Sequence, residues 1–327
     1  MRKNSRIKNI IFLMTLVLLV EFILSLIVGK YPLSFEGLMA GEEQAMRVFM
    51  TLRLPRTCMA VLAGFGLGVA GMVYQTVFRN PLASPDIIGV SSGASAGAAF
   101  AILFLTGSAF AVMGSAFLGS MIAVALVLAL TSIASEKGNA SIVLAGIAIH
   151  SLAQTILMVL KLSADPEKEL ASIEYWIMGS LNGITLDKLP VPFILSVLCM
   201  IGLFLLHRQV LLLSVEESEA ALLGVPVEKM RLCILLLATL VVAATVSVTG
   251  IISFVGLLAP HCARLLTKDH RIHSLWLSGL LGGSILCMAD ILARSAAASE
   301  LPVSVFTSLL GAPFLIWLLL RRRDDNV

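Results

Sequence analysis

Apolar residues run through this chain in long unbroken stretches separated by short polar connections. The stretches cover 8–29, 57–78, 87–105, 108–132, 141–162, 189–206, 231–249, 252–266, 273–293 and 303–320. About twenty apolar residues in a helix cross the hydrocarbon layer of a bilayer, so these stretches are predicted membrane helices. A transmembrane barrel would instead alternate apolar and polar positions along each strand. The expected fold class is therefore all-α, a polytopic membrane protein with about ten transmembrane helices in one bundle. No connection is long enough to hold a separate globular unit, so residues 1–327 are expected to form a single transmembrane domain. The stretch 252–266 is the shortest and contains Pro260, which predicts a short or tilted helix held by protein neighbours.

One connection departs from this pattern more than the others. FRNPLASPDIIGVSSGASAG, residues 78–97, places Arg79, Asn80, Pro81, Pro85 and Asp86 at the entrance of the third predicted helix, followed by Gly89, Gly93 and Gly97. The four-residue spacing of these glycines, and of Gly64 with Gly68, predicts small-residue helix faces that pack closely on neighbours.

Composition agrees with a membrane protein: 58% of residues are hydrophobic and 13% charged. The basic start (Arg2, Lys3, Arg6, Lys8) is expected in the cytoplasm, and ten crossings bring Arg321, Arg322 and Arg323 to the same side, whereas nine would not. The chain is thus expected in the cell membrane with both termini cytoplasmic. The first stretch contains Glu21 and is followed by no small-residue cleavage site, so it is not expected to be a cleavable signal peptide. The net charge of +3 is accounted for by inner-face residues and does not suggest nucleic acid. Cys58, Cys199, Cys233, Cys262 and Cys287 lie in or beside the stretches without the spacing of a metal site or disulfide framework; neither metal nor cofactor is expected.

Ionisable groups inside membrane helices are costly and so are functional candidates. Four stand out: Glu21, His150, His261 and Asp290. Glu21 has no further acids nearby to form a proton relay, and the histidines suit hydrogen-bonded packing as well as any ligand role. Asp290 and Arg294 are four apart and share a helix face, which predicts an ion pair. Arg47, Arg53 and Arg56 in RVFMTLRLPRT lie on the predicted outer side, against the positive-inside tendency, with Arg294 on the same side. Their guanidiniums suit carboxylates on a partner protein, or serve as anchors at the headgroup level. On the predicted inner face, SVEESEAALLGVPVEKMR (214–231) reads as a short helix opened by Glu216, Glu217 and Glu219 and ended at Gly224 and Pro226, a connector or a docking surface. No G-x-x-x-x-G-K-[ST] phosphate loop occurs and no catalytic cluster stands out, so the chain is not expected to be an enzyme.

Taken together, RLPRT (53–57), GxxxQxxFRNPLASPDIIGVSSGAS (71–95), GVPV (224–227), ISFVGLLAPHCARLL (252–266) and ADILAR with ELPVSVFTSLLGAPFLIWLL (289–319) resemble the FecCD-type permease subunits of ferric-siderophore, haem and cobalamin ABC importers. The resemblance covers nearly the whole chain in order. It implies a ten-helix subunit of a type II importer, paired with an identical or paralogous permease, two cytoplasmic ATPase subunits that hydrolyse ATP, and an extracytoplasmic substrate-binding protein. Arg53, Arg56 and Arg294 look like the arginines that meet acidic side chains of the binding protein. Asn80, Pro81 and Leu82 look like part of the cytoplasmic gate, with Gly138 and Asn139 resembling its second segment less closely. Glu219, Ala220, Leu223, Gly224, Val225 and Pro226 look like the helix that couples to the ATPase. Residues 163–183 resemble the short outer helix beside the mouth. The implied cargo is an iron–siderophore complex, with haem or cobalamin as alternatives. An ion-coupled secondary carrier is the rival from another class, but it would need coupling acids or paired discontinuous helices.

Overall fold

The computed structural model describes residues 2–29, 35–134, 139–214, 226–267, 272–297 and 299–324. Every regular element among them is helical. In chain order these are α1 (Arg2–Ile27), α2 (Phe35–Met39), α3 (Glu43–Val48), a π turn (Phe49–Arg53), α4 (Leu54–Val77), a 3₁₀ turn (Pro85–Ile88), α5 (Val90–Phe104), α6 (Ala109–Ile133), α7 (Asn139–Ser163), α8 (Glu169–Ile177), α9 (Pro190–Leu205), α10 (His207–Leu212), α11 (Val227–Thr249), α12 (Val255–Thr267), α13 (Ile272–Ser295) and α14 (Val303–Asp324). Among the described residues, six helical segments are long and apolar enough to cross a membrane: Ser5–Ile27, Glu43–Val77, α6, α7, α11 and α13. The apolar helices α5, α9 and Val303–Leu318 are shorter. The predicted stretch 252–266 becomes α12, of 13 residues. At 1.5 Å per residue that is about 20 Å, short of the hydrocarbon thickness.

The centre of the bundle is built on glycine. A side chain at Gly64 would strike the carbonyl of Gly282, and one at Gly68 the carbonyl of Ser278. Thus α4 and α13 meet backbone to backbone, and the Ser278 hydroxyl donates to the Gly68 carbonyl at 2.7 Å. The same device joins α5 to α6, where Gly93 and Gly97 lie against the carbonyls of Gly119 and Ser115. Gly89 departs from the expected glycine face. It sits before α5 with φ 78°, the left-handed turn from the 3₁₀ segment into the helix.

Two prolines reshape the helices they sit in. The segment expected as a connection before residue 57 is helical from Glu43 onward, interrupted by the π turn. Pro55 has no N–H for the carbonyl of Thr51 and its ring crowds that group, so the Leu54 N–H reaches one residue further, to Phe49. In α12, Pro260 releases the carbonyl of Gly256, which lies against Gly71, a position where any side chain would collide with it.

Between α11 and α12 the chain leaves the helix, with Gly250 at φ 69° and Phe254 at φ 67°. Backbone partners come from distant segments: the Ser180 N–H donates to Thr249 O at 2.7 Å, the Ser304 hydroxyl to Ile251 O at 2.7 Å, and the Val303 N–H to Gly179 O at 3.1 Å. Irregular backbone inside a bundle is tolerated where protein satisfies it in this way.

Candidate functional site

One end of the bundle gathers the last turn of α1, the start of α4 and the end of α13. The last carbonyls of a helix have no intrahelical partner, and here arginines supply one. Arg53, the final residue of the π turn, donates to the carbonyls of Leu26 (2.8 Å) and Ile27. Arg294 donates to the Ser25 carbonyl at 3.1 Å and to its hydroxyl at 2.7 Å, and that hydroxyl also bonds Thr57 at 2.8 Å.

Asp290 is the buried counter-charge. Its Oδ1 receives both Nε and Nη2 of Arg56 at 2.9 Å, and its Oδ2 pairs with Arg294 Nε at 3.2 Å. The remaining terminal nitrogen of Arg56, Nη1, donates to Glu300 at 2.8 Å. One turn and more deeper, Glu21 accepts from the Ser284 hydroxyl at 2.8 Å. Charge-assisted bonds of this kind, shielded from water, fix three helices in one arrangement.

The structure therefore brings Arg53, Arg56 and Arg294 together, as a site built from them requires, but it buries all three. Arg47 lies outside the cluster, exposed and paired with Glu43 at 2.8 Å. The Asp290–Arg294 pair follows from helical spacing. Ser25 and Glu300 carry no sequence signal of their own, because their partners are far away along the chain.

At the opposite end, where Arg2 and Asp324 lie, α4 stops at the turn 78–84. Arg79 takes a left-handed conformation (φ 50°), and the Asn80 side chain accepts the Leu82 N–H at 2.9 Å, an Asx turn that leaves Asn80, Pro81 and Leu82 exposed. Asn139, the first residue of α7, donates to the Val77 carbonyl at 2.9 Å and so caps α4 beside that turn. Asn139 thus sits next to the end of α4 from which the turn with Asn80, Pro81 and Leu82 departs. Gly138 lies outside the described residues, as do Glu219, Ala220, Leu223, Gly224 and Val225; Pro226 opens α11. A cavity of about 240 Å³ beside the turn is lined by Gln75, Thr76, Arg79, Pro81, Ser214 and Arg264. Arg264 donates to Gln75 there. A cation inside the stretch 252–266 is a signal that the apolar pattern alone passes over.

The segment 163–183 forms α8, and its acids serve local structure: Glu169 accepts the Asp165 N–H at 2.9 Å, Asp165 the Glu167 N–H at 2.9 Å, and Glu174 pairs with Lys161 at 2.9 Å. Beside α8 opens a cavity of about 570 Å³ whose lining includes Lys168, Tyr175, Trp176, Lys188 and Thr249. His261 packs edge-on against Phe314. Among the described residues no group of His, Cys, Asp or Glu could hold a metal, and the five cysteines are free.

Comparison with known proteins adds four findings. Residues 17–321 match the model of the FecCD transport family. The cobalamin import system permease protein BtuC of Halobacterium salinarum is 37% identical over 87% of this chain and 76% of its own length. The hemin transport system permease protein HmuU of Yersinia pestis is 36% identical over 91% of each chain. A solved structure presented as an inward-facing metal-chelate type ABC transporter superposes with a TM-score of 0.88 at 33% identity, covering 96% of this chain and 99% of the other.

Proposed function

We propose, from the premise that this chain belongs to the FecCD transport family of ABC importer permeases, that it carries an iron–siderophore complex across the cell membrane. The observation that carries the permease reading is the family match over 17–321, since it takes in every helix from α2 to α13 and both ends of the bundle; the metal-chelate cargo is supported by the solved structure of that type that superposes on this chain. In this reading the chain pairs with an identical or paralogous permease, and both termini are cytoplasmic. Two cytoplasmic ATPase subunits hydrolyse ATP and drive the gates through the segment Glu219–Pro226, and an extracytoplasmic binding protein delivers cargo. Arg53, Arg56 and Arg294 form the docking site for that binding protein. The turn Asn80–Leu82 with Gly138 and Asn139 forms the cytoplasmic gate, its irregular backbone lining an aqueous exit.

A second cargo reading, haem or cobalamin, is favoured by the names of the two relatives. Reconstitution separates the two. Proteoliposomes holding the permease and its ATPase, with binding protein outside, are given labelled ferric siderophore, hemin or cobalamin. The expected result is ATP-dependent accumulation of the siderophore. Accumulation of hemin or cobalamin alone would replace the cargo, and uptake without the ATPase would overturn the whole reading.

A further inference from the structure

Docking through Arg56 meets an obstacle in the geometry: its guanidinium is already occupied. Nε and Nη2 are held by Asp290 and Nη1 by Glu300. The two carboxylates are not equivalent. Asp290 is fully buried and shared with Arg294, so removing it would leave Arg294 without its carboxylate and Arg56 with Glu300 alone. Glu300 makes a single contact with Arg56, its side chain is 22% exposed, and it lies in the non-helical connection between α13 and α14. It is the acid of the cluster that reaches solvent.

We infer that Glu300 is a stand-in ligand: it holds the Arg56 position that a carboxylate of the docking protein takes, and docking proceeds by exchange of one for the other. The inference rests on the docking role proposed above. One charge-assisted hydrogen bond is traded for another, and the displaced Glu300 carboxylate is free to enter water, so the exchange costs little. It also has a mechanical consequence. The connection that carries Glu300 is tied to Ala293 through the Leu301 N–H (3.2 Å), and α14 begins right after it with the Val303 N–H on Gly179. Freeing Glu300 removes the link between α4 and the connection that leads into α14, so arrival of the partner is felt just ahead of that helix. The partner surface that fits is an acidic one, presenting a carboxylate on a stem long enough to reach a recessed guanidinium.

The test measures affinity of the purified, cargo-free binding protein of the same import system for the assembled transporter in nanodiscs. Glu300→Gln keeps the side-chain shape but removes the competing charge, and is expected to tighten binding about tenfold. In an Arg56→Gln background the same change is expected to have no effect, because the position being contested is gone. Unchanged or weaker binding by Glu300→Gln, while Arg56→Glu weakens binding, would overturn the exchange and leave the docking role standing. Unchanged binding by Arg53→Glu, Arg56→Glu and Arg294→Glu alike would remove both. Should Glu300→Gln unfold, Glu300→Asp, too short to reach Arg56 equally well, serves in its place with a smaller tightening expected.

Discussion

Asp290 shows at the scale of one side chain how much a buried charge can organise. It neutralises Arg56 and Arg294 together, and those two residues tie α4, α13 and α1 to one another. Asp290→Asn would keep the shape and lose the charge, leaving buried Arg294 without its carboxylate and Arg56 with Glu300 alone. The expected cost is about 3–5 kcal/mol, read as a fall in unfolding temperature of the detergent-solubilised protein. Half of this network was legible in advance. The spacing of Asp290 and Arg294 implies their pairing through helix geometry alone, whereas Arg56 meets Asp290 across 234 positions, and no local rule reaches that far. For the same reason the three arginines could be read as a group on one side of the membrane but not as a buried one. Burial follows from counter-charges that only the folded bundle supplies.

Among the elements, the glycine seams were the most readable feature, because close helix approach demands the absence of a side chain at regular spacing. Gly68→Leu would drive a side chain into the Ser278 carbonyl, a backbone group that cannot rotate away. It is expected to cost about 3 kcal/mol or more and to lower the yield of folded protein in the membrane. Gly114→Ala is the control, since nothing lies within 4 Å of that position. It is expected to be neutral or to stabilise by up to about 1 kcal/mol through helix propensity, measured in the same unfolding experiment. Less readable were Gly89, whose spacing fits a helix face but whose backbone is left-handed, and the π turn before α4. That turn arises because Pro55 disrupts a helix that the sequence pattern placed only from residue 57 on. Asn139→Ala would leave the Val77 carbonyl at the end of α4 without its side-chain donor. Hydrogen exchange over 78–84 is expected to speed up by about tenfold, with the rates in α13 unchanged.

For the whole molecule, the distribution of charge and apolar stretches specified the all-helical class and most of the helix positions. The short helices were read as closely as the long ones, since 87–105, 189–206 and 252–266 fall within three residues of α5, α9 and α12; the largest miss is the helical segment from Glu43 that precedes the stretch 57–78. The proposed orientation rests on the basic residues at both termini. Single cysteines at Lys3→Cys and Asp324→Cys, in a chain whose five cysteines are replaced, are expected to be protected from an impermeant thiol reagent in intact cells and labelled after lysis. Labelling of either in intact cells would reverse the assignment of the arginine end to the outside.

The junction between α11 and α12 bears on how such a chain is made. Ile251 and Gly179 are synthesised well before the donors that complete them, Ser304 and Val303, which belong to the final helix. Until that helix inserts, two carbonyls at this spot wait unsaturated inside a half-assembled bundle. Loss of α14 therefore does more than shorten the protein: it leaves an open polar wound inside the bundle, the kind of defect that cellular quality control can detect and remove.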